Sequence, residues 1–335
     1  MDRSIIFYDG DGGGFASHVR HLAHLQYLSW SLSIPLKVSY PLLDKFYTHD
    51  FERFQGSALL NNSMLLENWL DSPNKLIEFK NQISSGRLAN YPHNIKFFLS
   101  GRHHGPPMWH DFDRARYFIN TRNLMRSITR RMKFRYINNI DSYLNEMGVN
   151  VSKPFIGIQL RSFYDSPSGR AQYSKCKLNQ FKIFTSIVSD VIRRTSIEQL
   201  CIFSDDLAEA SDLQECLSGY VKVHIDKHKV MHSSMANAAS LGPQVLINCD
   251  NIIHQVNLLN HYFNMSNSSV ANDLSYAIGT LYVIHSLARA ACIICSSTSM
   301  GPLAASFANE ACELIVIPNT SLDMVNGISR YGPYA

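Results

Sequence analysis

The chain has 335 residues, 45% of them hydrophobic, enough for two domains with cores of their own. A net charge of +4 with 17% charged residues is a mild basic bias, not the signature of a nucleic-acid-binding protein. No apolar run reaches the roughly 18 residues of a membrane span. The opening Met1-Asp-Arg-Ser-Ile-Ile-Phe-Tyr-Asp9 is too soon acidic for a signal peptide, so a cytoplasmic protein is expected. The 7 cysteines are dispersed and mostly within apolar segments, as reduced thiols of such a protein would be.

In chain order, Ser4 to Tyr8 reads as a strand, followed by the glycine-rich Asp9-Gly-Asp-Gly-Gly-Gly-Phe15. His18, Leu22, Leu25, Leu28 and Leu32 then share one helical stripe, and Leu36 to Tyr40 is a second strand. This βαβ opening puts its glycines before a helix, but without G-x-G-x-x-G spacing or a P-loop lysine. Gly13 and Gly14 therefore serve either a tight turn or the close approach of a sugar diphosphate. Residues 41 to 110 read as irregular, with Gly101-Arg-His-His-Gly-Pro-Pro107 as a loop. Arg114 to Met147 reads as one or two amphipathic helices, strongly basic over 114–135. That face is either simply solvated or a peripheral contact with anionic lipid headgroups or an acidic acceptor.

From Lys153 the pattern alternates: strands at Phe155–Leu160, Gln199–Phe203, Val221–His224, Cys292–Cys295 and Glu313–Pro318, separated by helical segments. Alternation of this kind predicts a doubly wound parallel sheet. Three strand ends carry chemistry. Phe155-Ile-Gly-Ile-Gln-Leu-Arg161 is an apolar run that delivers an arginine to the carboxyl edge of a sheet, where open α/β folds bind ligands. A guanidinium there is either half of a structural ion pair or a fork for a diphosphate. The second strand ends in Ser204, Asp205 and Asp206, and the third in Ser296-Ser-Thr-Ser299 before a helix expected from Leu303. Hydroxyls and N–H groups at a helix start form a phosphate cradle.

Together these landmarks resemble the GDP-fucose-dependent fucosyltransferases of GT-B fold, the α1,6-, α1,2- and protein O-fucosyltransferase group. The group's His-x-Arg-Arg strand end is matched by Gln159-Leu-Arg161-Ser162, its Thr/Ser-Asp-Asp by Ser204-Asp205-Asp206, and its Ser-rich strand end by Ser296 to Ser299. Gly12-Gly-Gly-Phe-Ala-Ser-His18 resembles the opening loop. The family's histidine stands here as Gln159 and its second arginine as Ser162; its acidic residue before the hydroxyl motif has Asp273 as nearest counterpart, off register. The resemblance implies two facing Rossmann-like domains with a cleft between them: residues 1–150 on the acceptor side, 151–318 for the nucleotide sugar, and a tail, 319–335, that crosses back to the first domain. It implies inverting transfer of fucose from GDP-fucose to a glycan hydroxyl, without metal.

Carried over by residue, Arg161 binds the donor diphosphate, with Gln159, Ser297, Thr298 and Ser299 beside it, Ser204, Asp205 and Asp206 near base or ribose, and Gly13 and Gly14 from the other domain. Asp165 is the first candidate for the base, with Asp9 and Asp11 behind it; His18 and His21 are candidates for sugar or acceptor contact. Neither His18-His21-His24 nor His224-His228-His232 has a carboxylate at a zinc-motif spacing. The alternatives are another nucleotide sugar as donor, or a non-catalytic nucleotide- or glycan-binding protein.

Overall fold

The computed structural model describes residues 5–9, 15–32, 35–53, 63–65, 81, 94–98, 114–162, 167–227, 279–296, 298, 300–317 and 329–331. They fall into two compact units, one holding the described residues up to Arg135 and the other those from Tyr136 onward. The helix Asn139–Glu146 thus belongs with the second unit, where its Tyr143 and the turn after it make their contacts.

The first unit is built on a parallel sheet of five strands: β1 (Ile5–Asp9), β2 (Leu36–Ser39), β4 (Glu52–Arg53), β5 (Ser63–Leu65) and β6 (Asn94–Phe98), ordered β4-β2-β1-β6-β5. The helix Phe15–Leu32 follows β1 and buries Val19, Leu22, Ala23 and Leu25, positions three and four apart on one face. The helix Arg114–Thr129 buries Met125 and Ile128. A two-stranded antiparallel ribbon, β3 (Tyr47–His49) with β7 (Met132–Phe134), pairs Tyr47 with Phe134. The basic stretch is partly structural. Arg122 is buried, and Arg131 bonds Asp50 at 2.7 Å and Gln26 while its guanidinium lies over the Phe51 ring at 4.2 Å.

The second unit carries the sheet foreseen after Lys153: β8 (Ile156–Leu160), β9 (Gln199–Ser204), β10 (Lys222–Ile225), β11 (Cys292–Ser296) and β12 (Glu313–Ile317), all parallel, with β13 (Ser329–Tyr331) antiparallel on the edge. The order is β10-β9-β8-β11-β12-β13. Residues 329–331, in the segment expected to reach the first domain, therefore complete the second sheet. Every residue of β8, β9, β11 and β12 is buried, which is why these strands read as continuous apolar runs. The helix Pro167–Thr195 covers one face through Phe181, Phe184, Val188 and Val191. Helical residues 279–287 approach β8 so closely that a Cβ at Gly157 would stand 2.9 Å from Leu287 Cδ2. A Cβ at Gly301 would meet the Cys295 side-chain carbon at 2.6 Å, so the helix Met300–Phe307 starts directly against the end of β11. The expected start at Leu303 was late because Gly301 and Pro302, read as a break, are the helix's first turn.

Two buried histidines make acid stability a test of this packing. The His285 ring lies tilted 4.5 Å from the Phe307 ring, and burial, with the nearby Arg289, lowers its pKa to about 3. His224 is held by a 3.0 Å contact to the Met147 carbonyl, and burial lowers its pKa too. Both take up a proton less readily when folded, so the unfolded chain is protonated first as pH falls. The His285 contribution is complete above about pH 6.5 and is lost toward lower pH at about 1.4 kcal/mol per unit, and His224 acts in the same direction. Melting temperature measured from pH 7 to 4 is expected to fall, and His285→Leu to flatten the slope; an unchanged slope in that variant contradicts the assignment. Among the described residues no helix is long and apolar enough to cross a membrane.

Candidate functional site

The second sheet runs outward from β8 through β9 to β10 in one direction and through β11 to β12 in the other. The carboxyl ends of β8 and β11 thus flank the point where the winding reverses, where doubly wound sheets open a ligand crevice. The chemistry-bearing strand ends singled out in the sequence converge there. Arg161 leaves β8, its backbone N–H bonded to Ser296 Oγ at the end of β11 at 3.1 Å. Its Nη1 bonds Asp205 Oδ2 at the end of β9. The other Asp205 oxygen accepts the Ser162 N–H at 2.7 Å and the Ser162 hydroxyl at 3.0 Å.

Arg161, Ser162, Asp205 and Ser296 are all at most 6% exposed, so this is a dry, charge-assisted lattice joining three adjacent strands. A buried carboxylate with these bonds orients the guanidinium: Asp205 positions Arg161. Ser162, which stands where the resemblance has a second arginine, holds Asp205 in place. Asp206 has a different role, capping the helix Leu207–Leu217 by accepting the Ala208 N–H at 3.0 Å; its own N–H bonds Ser204 Oγ at 3.1 Å.

On the β11 side, Thr298 Oγ1 donates to Gln159 Oε1 at 3.1 Å, and the Thr298 N–H turns back to the Ser296 carbonyl at 2.6 Å. That turn delivers the chain to the start of the helix Met300–Phe307, whose first N–H groups and dipole favour an anion. Gln159 therefore ties the hydroxyl motif to β8. The convergent set is a permanently charged guanidinium, a hydroxyl-rich turn and a helix N-terminus at one sheet edge, an arrangement suited to binding phosphate oxygens.

Gly13, Gly14, Asp11, Asp165, Ser297, Ser299, His228, His232 and Asp273 lie outside the described residues. Asp9 ends β1. His18 is fully buried in the first unit, its ring stacked 4.2 Å from Tyr40, and belongs to that unit's aromatic core; His21 is in the same helix. Among the described residues no cluster of three or more His, Cys, Asp or Glu could hold a metal. Cys292 and Cys295 sit in the buried β11, where burial pushes the Cys295 thiol pKa up and disfavours a thiolate.

One contributor to the junction was missed in the sequence, and one buried carboxylate at the same sheet edge. Ser296 was read only as the motif's first hydroxyl, yet its side chain secures Arg161. Asp226, immediately after β10, is a fully buried carboxylate at the same edge and accepts the Tyr143 hydroxyl at 2.7 Å. Its pattern, an apolar strand ending in an acid, was the same signal that singled out Asp205.

No protein-family model matches the chain, nor does any curated protein. Solved structures share its fold. A NodZ α-1,6-fucosyltransferase soaked with GDP-fucose is 12% identical, with 98% of this chain and 99% of that one covered and a TM-score of 0.50; NodZ from Bradyrhizobium gives the same TM-score. A variant of Arabidopsis thaliana FUT1 in complex with GDP is 10% identical over 98% of this chain and 74% of its own, with a TM-score of 0.55. POFUT1 in complex with GDP-fucose is 8% identical over 92% of this chain and 95% of its own, with a TM-score of 0.50. At these identities the likeness is one of fold: the chain has the α/β, GT-B-like fold of the GDP-fucose fucosyltransferases, to which it is distantly similar.

Proposed function

We propose that this protein is a GT-B glycosyltransferase that moves fucose from GDP-fucose to a hydroxyl of a glycan acceptor. The observation that carries the reading is the junction of Arg161, Asp205 and Ser296 at the reversal point of the second sheet, in a fold shared with fucosyltransferases solved with GDP or GDP-fucose. In this reaction the acceptor oxygen attacks the anomeric carbon from the side opposite the diphosphate. The bond from that carbon to the phosphate oxygen breaks, and GDP leaves with the electron pair, inverting the centre.

Arg161 meets the charge that grows on the leaving diphosphate, held in register by Asp205, so that little reorganisation accompanies the transition state. The N–H groups at the start of the helix Met300–Phe307 complete the cradle, with Thr298 fastened to Gln159 beside them. Asp165, close after Arg161 in the chain, takes the acceptor proton. Asp205 and Asp206 are adjacent, and their carboxylates are committed to Arg161 with Ser162 and to a helix cap, so this pair does not form a metal-bridging site.

Release of GDP from GDP-fucose with a panel of glycan acceptors tests the reading. Release is expected to persist in saturating EDTA, and Asp165→Asn to lower turnover strongly at nearly unchanged GDP affinity. Dependence on manganese overturns the metal-free mechanism. GDP binding without release under any acceptor leaves a nucleotide-binding protein in place of the enzyme.

A further inference from the structure

A second concave surface lies apart from the strand ends. It is a groove of about 970 Å³ between the helix Pro167–Thr195 and the segment that closes the helix Leu207–Leu217. One wall is a single helical stripe: Leu178, Lys182, Ser186, Ser189 and Arg193 recur at spacings of three and four residues. From the first to the last of these the stripe is about 22 Å long at the α-helical rise, which suits an extended ligand better than a compact one. Across from it stands Tyr220, 53% exposed. The helix enters from β8 and returns to β9, and Tyr220 precedes β10, so the groove runs toward the amino edge of the sheet, away from Arg161.

The lining argues for the occupant. Leu178, Phe181 and the Tyr220 ring supply its apolar surface, while Lys182, Asp190 and Arg193 set charges among hydroxyls along the same wall, unlike the charge-depleted centre of a protein interface. An exposed ring beside hydroxyls is the pairing that sugars use, with their C–H faces on the ring and their hydroxyls donating and accepting around it. The charge balance selects among sugars. Asp190 is engaged by Arg193 at 3.0 Å and by Arg194 at 3.2 Å, and Lys182 adds a further cation to the wall, so positive charge exceeds negative. We propose that this groove is a glycan-binding site for an acidic, uronate-bearing oligosaccharide, separate from the donor site.

Cys216 lines the same groove and is exposed, which provides a reporter that needs neither donor nor turnover. Alkylation of Cys216 by iodoacetamide, followed on its own peptide by mass spectrometry, is expected to slow severalfold in the presence of an oligogalacturonate, and to recover at high salt as the charge contribution is screened. Tyr220→Ala and Arg193→Glu, both at exposed positions, are expected to abolish protection, measured for each variant against its own rate without ligand. Protection that survives Tyr220→Ala overturns the proposal. So does no protection at all, equal protection by a neutral chitooligosaccharide, or equal protection by poly-glutamate, which marks an acidic protein partner instead. Because GDP-fucose is not part of the assay, failure of the transferase reading and failure of this one are separable.

Discussion

Replacing Arg161 with alanine is expected to cut transfer by a factor on the order of 10²–10³, the loss seen when one preorganised donor to a developing oxyanion is removed. The structure adds a second consequence. Asp205 is 5% exposed and loses its cation, and a buried carboxylate left without its partner costs about 3–5 kcal/mol. The single variant therefore mixes a catalytic with a folding effect. The double variant Arg161→Met with Asp205→Asn separates them, because it removes both charges and keeps an oxygen to accept from Ser162. It is expected to melt close to the wild type and to remain inactive. Arg161→Lys retains the charge but cannot present a planar fork, and is expected to restore little activity. Near-normal turnover in the double variant means that Arg161 is only half of a structural ion pair.

The second large effect concerns stability alone. Glu313 opens β12 at 1% exposure, and Arg194 near the end of the helix Pro167–Thr195 bonds both of its carboxylate oxygens at 3.2 Å. This pair lies at the amino edge of the sheet, opposite the ligand edge. Arg194→Met leaves Glu313 buried and uncompensated, so a loss of about 3 kcal/mol is expected in chemical denaturation, at the low end because Arg194 itself is partly exposed. GDP affinity and turnover per folded molecule are expected to stay unchanged. The double variant with Glu313→Gln should recover most of the loss. A change in GDP affinity in Arg194→Met contradicts a purely structural role for this end of the sheet.

The second sheet was legible because strands buried on both faces become near-continuous apolar runs; β8, β9, β11 and β12 all announce themselves in this way. The first unit was less so. In β6, Asn94-Ile-Lys-Phe-Phe98, Lys96 interrupts the apolar run, and the strand was lost in a stretch read as irregular although it pairs directly with β1. The ribbon β3-β7 was hidden for another reason: three-residue strands carry too short a pattern, and their register depends on pairing across 85 positions of chain. The site shows the same division. Arg161, Asp205 and the hydroxyl motif stood out as strand ends, but that Asp205 clasps Ser162 and Arg161, and that Ser296 fastens β11 to β8, depends on which strands are neighbours. Asp206 looked equivalent to Asp205, yet one residue of offset turns it into a helix cap.

The central claim is that the Arg161 edge of the second sheet binds a guanosine diphosphate. Thermal shift with GDP, UDP, CMP and dTDP in EDTA measures it directly, since a ligand that binds only the folded state at 100 times its Kd adds about 2.7 kcal/mol of stability. The expected result is a concentration-dependent rise in Tm with GDP above the other three, lost in Arg161→Met with Asp205→Asn and retained in Arg193→Glu. No shift with GDP, or an equal shift in the double variant, would contradict it.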